Sequence, residues 1–264
     1  ARDLRDEAAV ALKIFYPQAD CDLQTQRQSA ELEAARLREI RHPNIIELRQ
    51  QGEVEALPYL SFPFINGHSL QVGSHNEGKL ERPLALSVML KVCAAIEFAH
   101  SQGIIHRDLK PSNIILDSRF EPYVLDWGLS WRRGGRSQRT VQKIVGTPSY
   151  MSPEQARGEE EKLTPATDIF SLGAILYFLI TARAPFDADS SWKTLQLTMS
   201  VPPQKPGELA GGLDPRIENI VLTCLEKDPA QRYQSAGRLA ADLQRVLDDQ
   251  TPKGRSGFLG RLFS

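Results

Sequence analysis

The chain has 264 residues, of which 41% are hydrophobic, so it is long enough and apolar enough to bury a sizeable core. A formal net charge of −1 gives no global attraction to nucleic acid or to an anionic membrane surface, and neither partner is expected. Cys21, Cys93 and Cys224 lie far apart with no C-x-x-C spacing, which argues against a zinc site or a disulfide framework and favours a reducing, cytosolic setting.

The first quarter of the sequence predicts a small block of strands with one helix. Apolar segments with strand-like composition predict strands at Ala9–Phe15, Ile45–Arg49 and Leu57–Ile65. A run of strong helix formers predicts a helix over residues 22–41, which ends before a His-Pro dipeptide. A polar turn is predicted around Gly52, between the second and third strands.

The remainder of the sequence is predominantly helical in pattern. An amphipathic helix is predicted over Leu84–His100. The longest apolar run, Ile169–Ile180, has twelve residues, whereas a membrane span takes roughly 20, so a buried core helix and no membrane segment are expected. Further helices are predicted at residues 191–200, 215–225 and 235–247. Residues 250–264 are basic and contain glycine, which predicts a tail or a linker.

One octapeptide, His106–Asn113, concentrates the residue types that phosphoryl transfer to an alcohol requires. Asp108 can orient and deprotonate a hydroxyl, Lys110 can neutralise a phosphate, and the amide oxygen of Asn113 can bind Mg²⁺. A second carboxylate, Asp126, follows Asn113 by 13 residues and begins an Asp-Trp-Gly turn. Two short apolar runs beside these segments, Ile114–Leu116 and Tyr123–Leu125, predict a hairpin that presents them.

The octapeptide and the Asp-Trp-Gly turn resemble the catalytic loop and the metal-binding turn of eukaryotic-type (Hanks-type) Ser/Thr protein kinases, in a bacterial-like form. Trp127 stands where the family usually has phenylalanine. The resemblance implies that Asp108 is the catalytic base, that Lys110 neutralises the transferred phosphate, and that Asn113 and Asp126 hold Mg²⁺. An isolated His-Arg-Asp would more often be a structural turn, and the family offsets of the lysine and the asparagine favour function.

Other roles follow from the resemblance in the same way. A lysine two residues after the catalytic aspartate is typical of Ser/Thr-directed family members rather than Tyr-directed ones. Arg107, next to that aspartate, marks members whose activity depends on phosphorylation of the activation loop.

Val10-Ala11-Leu12-Lys13 resembles the family's V-A-I-K strand, whose lysine binds the α- and β-phosphates of ATP. The resemblance implies that Lys13 pairs with Glu33, which lies nine residues before His42, at the family's usual spacing. Glu31 is the alternative partner, and either glutamate could instead be a solvated residue on the surface of the helix. Leu37 falls one helical turn after Glu33 on the same face, which favours Glu33.

The segment Tyr59–Ile65 resembles the strand that leads into the adenine-binding hinge. On this alignment Phe62 is the gatekeeper, and Phe64 and Ile65 lie along the adenine edge. The alternative is a plain core strand, and Pro63 replaces an acidic residue and removes one backbone donor. Ala11 and Ile115 would form the apolar roof and floor of the adenine pocket.

Gly146–Glu154 resembles the substrate-positioning end of the family's activation segment, and it begins 20 residues after Asp126. The resemblance implies a structural ion pair between Glu154 and Arg232. It also implies that Asp168, which precedes the core helix, anchors the backbone of the catalytic loop.

The loop that precedes this segment is basic, and between Trp131 and Val145 its only hydroxyl side chains are Ser137 and Thr140. A run of basic residues of this kind is usually a solvated surface segment without a specific role. Our hypothesis is that Thr140 is a regulatory phosphosite, because basic neighbours can pair with the added charge.

The sequence contains no G-x-G-x-x-G before Lys13, where the family carries its phosphate-covering loop, and residues 1–6 resemble the strand that follows that loop. The first strand and the Gly-rich loop are therefore missing from this sequence, through truncation or in the lineage itself. We expect residues 1–264 alone to bind nucleotide weakly and to turn over slowly, with an exposed sheet edge.

The sequence thus predicts an α+β, two-lobed, protein-kinase-like fold over residues 1–249, with a partial β-rich N-lobe at 1–65 and a mainly helical C-lobe at 66–249. The predicted function is a Ser/Thr protein kinase that uses ATP and Mg²⁺, acts on protein substrates and autophosphorylates, with self-association for reaction in trans. The expected location is cytoplasmic, either free or as the cytoplasmic domain of a larger membrane-anchored protein. The alternatives are a pseudokinase-like scaffold or catalytically impaired fragment, and a small-molecule phosphotransferase.

Overall fold

The computed structural model describes residues 1–17, 22–71, 80–128, 131–132 and 148–250. A small sheet-rich N-terminal part is followed by a mainly helical C-terminal part, as the α+β prediction expected. The predictions on Cys21, on Thr140 and on the tail after residue 250 lie outside the described residues.

The N-terminal sheet has three antiparallel strands in the spatial order β1-β3-β2. They are β1 (Val10–Ile14), β2 (Gln50–Val54) and β3 (Leu57–Pro63). Helix α1 (Leu23–Glu39) packs on this sheet through small buried residues, and it begins at Asp22, whose carboxylate accepts the Thr25 N–H at 2.8 Å. It ends at Glu39, two residues before the predicted end, because Ile40 is extended.

The second strand was predicted in the wrong place. Ile45 and Ile46 are apolar because they are buried against the C-terminal part, where the Ile46 N–H donates to the Val124 carbonyl at 3.0 Å. The strand is Gln50–Val54, a largely polar segment that sequence pattern does not favour as a strand.

The predicted turn around Gly52 is wrong for a related reason. Gly52 lies inside β2 opposite Tyr59, and a Cβ at Gly52 would lie 2.6 Å from the Tyr59 hydroxyl oxygen. The turn between β2 and β3 is formed by Glu55 and Ala56, which both adopt positive φ angles, of 50° and 66°. Glycine at position 52 therefore leaves room for the Tyr59 ring. The chain reverses at Glu55 and Ala56, which are not residue types typical of turns.

The C-terminal part contains two small sheets that carry its loops. In one, β4 (Gly67–Ser69), β6 (Ile114–Asp117) and β7 (Pro122–Val124) are antiparallel, in the order β4-β6-β7. In the other, β5 (Ile104–Ile105) pairs with β8 (Trp131–Arg132). The hairpin predicted from the two apolar runs is the pair β6–β7.

Seven helices in the described C-terminal residues build the main core. They are α2 (Arg82–Ser101), α3 (Pro153–Ala156), α4 (Pro165–Thr181), α5 (Ser191–Ser200), α6 (Pro206–Leu209), α7 (Pro215–Cys224) and α8 (Ala236–Gln250). Every residue of α4 after the first proline is buried, as the apolar run predicted. Helix α2 is the one described helix that is long and apolar enough to cross a membrane, and here its buried face packs on α4 and α8.

A short connection holds the end of α1 to the C-terminal part. Val124 exchanges two backbone hydrogen bonds with this connection, accepting from Ile46 and donating to the Asn44 carbonyl at 2.8 Å. The buried Asn44 amide also donates to the Glu121 carboxylate at 2.6 Å and to the Pro122 carbonyl at 2.9 Å. Lys91 of α2 pairs with the same Glu121 carboxylate. Helix α1 is therefore fixed at its C-terminal end to the β6–β7 hairpin.

Candidate active site

The loop between β5 and β6 brings the three predicted catalytic-loop side chains together. Lys110 Nζ lies 2.7 Å from Asp108 Oδ2, and Asn113 Nδ2 lies 3.0 Å from the same oxygen and 2.8 Å from the Asp108 carbonyl oxygen. The Asp108 side chain is still 24% exposed, so its carboxylate remains accessible from outside the loop. The loop thus holds a carboxylate in a fixed orientation with one face open.

Asp168, at the start of α4, holds the backbone of this loop. Its completely buried carboxylate accepts the His106 N–H at 2.8 Å and the Arg107 N–H at 2.9 Å, and contacts His100 Nε2 at 2.8 Å. Arg107 adopts a φ of 71°, which a side chain with a Cβ rarely adopts, so these bonds stabilise a strained turn next to Asp108. Burial alone would raise the Asp168 pKa, but the His100 contact and the backbone donors hold that pKa below its ordinary value.

Lys13 lies between two carboxylates in the cleft beneath the N-terminal sheet. Its Nζ is 2.9 Å and 2.7 Å from the two Glu33 carboxylate oxygens and 2.6 Å from Asp126 Oδ1. Glu33 is buried, whereas Glu31, the alternative partner, is exposed on the same helix. The ammonium group therefore joins helix α1 to the turn that carries Asp126.

The protonation states of Lys13, Glu33 and Asp126 depend on one another. Burial disfavours the Lys13 ammonium, but Glu33 and Asp126 outweigh that effect and raise the Lys13 pKa. Burial likewise disfavours ionised Asp126, yet Lys13 holds the Asp126 pKa below its ordinary value. For the more deeply buried Glu33, desolvation exceeds the attraction of Lys13, and its pKa is raised. Lys13 and Asp126 are therefore a charged pair at neutral pH.

The turn after β7 is anchored by its tryptophan. Asp126 adopts a φ of 58°, which turns its carboxylate into the cleft, and the next side chain, Trp127, is completely buried. The Trp127 ring lies 4.5 Å from the His106 ring, centroid to centroid, and His106 Nε2 is 2.9 Å from the Leu125 carbonyl oxygen. The turn at 126–128 and the loop at 106–113 therefore pack on each other through two rings.

Asn113 and Asp126 provide the oxygen donors that a hard cation prefers. No group of three or more His, Cys, Asp or Glu side chains suited to a metal occurs in the described part of the chain, so a cage built wholly from such side chains is absent there. Mg²⁺ commonly binds through one or two carboxylates and completes its shell with water and phosphate oxygens. The Asn113 amide nitrogen is engaged by Asp108, so the amide oxygen is the atom that would coordinate a cation. The two residues fit Mg²⁺ on these grounds.

Three of the residues predicted for the adenine pocket lie on the two sheets that border the cleft, and Phe64 and Ile65 directly follow β3. Ala11 of β1 is opposite Phe62 of β3, and Ile115 of β6 is opposite Ser69 of β4. Phe62 and Ile65 are partly buried against the main core, whereas Phe64 is 57% exposed. The Phe64 N–H donates to the Ala9 carbonyl at 3.2 Å, which continues the pairing of β1 with β3.

A buried ion pair joins helix α3 to the loop after α7. Arg232 donates to both Glu154 carboxylate oxygens at 2.9 Å, and both side chains are almost completely buried. The Thr167 hydroxyl also donates to Glu154 at 2.9 Å, while Arg232 donates to three backbone carbonyls. All the polar atoms of the pair are therefore hydrogen-bonded, as a buried pair requires.

Because of this ion pair, we expect the free energy of unfolding to fall in acid. Burial raises the Glu154 pKa, but Arg232 outweighs burial and holds that pKa below the ordinary value. The unfolded chain then takes up the proton first, so the contribution of the pair is complete above about pH 5 and is lost as the pH falls towards the folded-state pKa. Urea unfolding between pH 7 and pH 4 should show this loss, with a shallower decline in Glu154→Gln. Equal pH slopes for the two proteins would contradict the assignment.

Three residues of the site were not predicted from sequence. His100 supports Asp168, Gln155 donates to the Arg107 carbonyl at 2.7 Å, and Arg36 of α1 donates to the Gly128 carbonyl at 3.2 Å. Gln155 had a local signal, since Ser152 and Gln155 form a capping box at the start of α3. His100 and Arg36 act on residues far along the chain, and no local pattern marks such contacts.

Comparisons with known proteins agree with this geometry. A family model described as protein kinase domain matches residues 1–243. The chain is 33% identical over 262 residues to the serine/threonine-protein kinase PknB of Mycolicibacterium smegmatis, and the match covers 96% of this chain and 41% of that protein. PknB of Mycobacterium tuberculosis is also 33% identical, over 263 residues, with the same two coverages. The probable serine/threonine-protein kinase SCO3848 of Streptomyces coelicolor is 33% identical over 236 residues, which cover 87% of this chain and 35% of that protein. The chain therefore spans about two fifths or less of the length of these curated relatives.

Proposed function

Since the chain belongs to the protein kinase family, as a catalytic domain of the Ser/Thr type, we propose that it transfers the γ-phosphate of ATP to serine and threonine hydroxyls of proteins, itself included. The observation that carries the proposal is the convergence of two charged groups on one cleft. The Asp108–Lys110 pair lies on one loop, and the Lys13–Asp126 pair joins helix α1 to the neighbouring turn. We extend this domain over residues 1–249, with lobes at 1–65 and 66–249.

The chemical step follows from the exposed Asp108 carboxylate. The substrate hydroxyl donates a hydrogen bond to Asp108, and the hydroxyl oxygen attacks the γ-phosphorus. A new P–O bond forms while the bond from that phosphorus to the bridging oxygen breaks, and ADP leaves with the bond's electron pair. Asp108 receives the hydroxyl proton. Lys110, which already contacts Asp108, neutralises charge on the transferred group.

The remaining residues position the nucleotide. Lys13 would bind the α- and β-phosphates, while Glu33 fixes the direction of the ammonium group. Asn113 and Asp126 would hold Mg²⁺, whose charge offsets that of the phosphate oxygens.

Ala11 and Ile115 would enclose the adenine ring, with Phe62 as gatekeeper and with Phe64 and Ile65 at the adenine edge. Pro63 has no N–H and the Phe64 N–H is bonded to Ala9, so within residues 63–65 the Ile65 N–H is the donor for adenine.

Regulation and location are part of the same proposal. Thr140 would be the phosphosite, with Arg107 beside the catalytic base as the residue that responds to it, and self-association would allow reaction in trans. Cys93 and Cys224 are buried free thiols, which suits a reducing compartment. The domain would then act in the cytoplasm, alone or as the cytoplasmic part of a larger protein.

Label transfer tests the proposal. The protein, incubated with Mg²⁺, γ-labelled ATP and a basic protein acceptor, is expected to place label on phosphoserine and phosphothreonine. Asp126→Asn is the matched control, because it keeps the shape of the side chain and removes the charge that binds Mg²⁺. Equal labelling by both proteins would favour a scaffold with a contaminating activity, and label on a small molecule alone would favour a small-molecule phosphotransferase.

A further inference from the structure

We propose that Arg36 is a positioning residue that fixes the Asp126–Gly128 turn to helix α1. The Arg36 Nη1 atom donates to the Gly128 carbonyl oxygen at 3.2 Å, across 92 residues of sequence. The inference rests on the proposed function, because it assigns to Arg36 a part in placing the carboxylate that would bind Mg²⁺.

Arg36 and Glu33 act from the same face of α1. They are three positions apart in the helix, so their side chains are neighbours on the helix surface. Glu33 reaches Lys13, while Arg36, which is half-buried, reaches the turn. One helical turn therefore supplies both the carboxylate that orients Lys13 and the cation that holds the backbone beyond Asp126.

The glycine of the turn makes this arrangement possible. A Cβ at Gly128 would lie 2.8 Å from Glu33 Oε2 and 3.5 Å from Asp126 Oδ1. The Glu33 carboxylate therefore rests directly against the Gly128 backbone, with the Arg36 guanidinium on the carbonyl of the same residue. The turn is held from two sides by α1.

The consequence is that the position of Asp126 depends on α1 through the backbone as well as through Lys13. Lys13 attracts the Asp126 carboxylate and the buried Trp127 ring anchors the middle of the turn, but neither contact holds the backbone at Gly128. Arg36 restrains that backbone. Without Arg36, the Gly128 carbonyl loses its charged donor, and we expect the turn to fluctuate.

Backbone amide hydrogen exchange in the nucleotide-free protein tests the restraint. In Arg36→Ala, the peptide that contains Leu125–Gly128 should exchange about three- to tenfold faster, the range expected for the loss of one hydrogen bond. Arg38→Ala is the matched control, since Arg38 is on the same helix but donates to Gln51 at 3.0 Å, within the N-terminal part. Arg36→Lys keeps the charge beside Glu33 on a shorter donor and should exchange as Arg36→Ala does.

Steady-state kinetics provide the second measurement. Arg36→Ala should raise the KM for MgATP about three- to tenfold and leave the KM for the protein acceptor unchanged, whereas a general loss of structure would change both. Unchanged exchange in Arg36→Ala, or exchange at the wild-type rate in Arg36→Lys, would overturn the inference. If the wild-type protein transfers no phosphate, the proposed function fails, and the exchange measurement still decides the role of Arg36.

Discussion

Replacing Asp108 with asparagine is expected to lower the turnover number by about 10²- to 10⁴-fold, the range that general acid–base catalysis contributes. Asparagine keeps the size of the side chain and an oxygen that can accept from Lys110, but it cannot receive the hydroxyl proton. The asparagine oxygen can also accept from Asn113, which keeps this proposed Mg²⁺ ligand in place, so the KM for MgATP should change little. Initial rates over a range of ATP and acceptor concentrations separate the two constants.

The matched control is Asp117→Asn on the neighbouring hairpin. Asp117 accepts the backbone N–H groups of Arg119 and Glu121 at 2.8 Å, a turn geometry that asparagine can also form. The control should therefore retain wild-type kinetics. A loss of turnover in Asp108→Asn no larger than that in Asp117→Asn would exclude Asp108 as the base.

Replacing Arg232 with methionine is expected to lower the free energy of unfolding by about 3–5 kcal/mol, the usual cost of removing one member of a buried ion pair. The loss arises because Glu154 would keep its charge in an interior where only the Thr167 hydroxyl remains as a side-chain donor. Three backbone carbonyls would also lose their donors. Urea unfolding followed by circular dichroism measures the change.

A double variant separates the loss of the pair from the burial of an unpaired charge. Glu154→Leu combined with Arg232→Met removes both charges, and it should recover part of the stability that Arg232→Met loses. A double variant no more stable than Arg232→Met would show that the charge left unpaired is not the source of the loss.

The contacts within the loop at 106–113 could be predicted from sequence because they are local. Asp108, Lys110 and Asn113 occur within six residues, so the loop itself brings them together. The partner of Lys13 could also be placed, because the helical period distinguishes Glu33 from Glu31 once an inward face is assigned.

Features that depend on contacts between distant segments could not be predicted. The apolar pair Ile45–Ile46 suggested a strand, but its burial comes from the hairpin β6–β7, nearly 80 residues further along the chain. Gly52 suggested a turn, although its role is to accommodate the Tyr59 ring. Arg36 could not be identified for the same reason, since its partner is a backbone carbonyl that any residue would present.

The link between residues 44–46 and Val124 connects helix α1 to the hairpin β6–β7. Two backbone hydrogen bonds and the Asn44 amide hold the end of α1 on the hairpin that leads into the Asp126 turn. Asp126 is two residues from Val124, and Glu33 lies on the helix that ends just before this link. A substitution that loosens the Asn44 contacts would therefore loosen both carboxylates that contact Lys13, from a position outside that group.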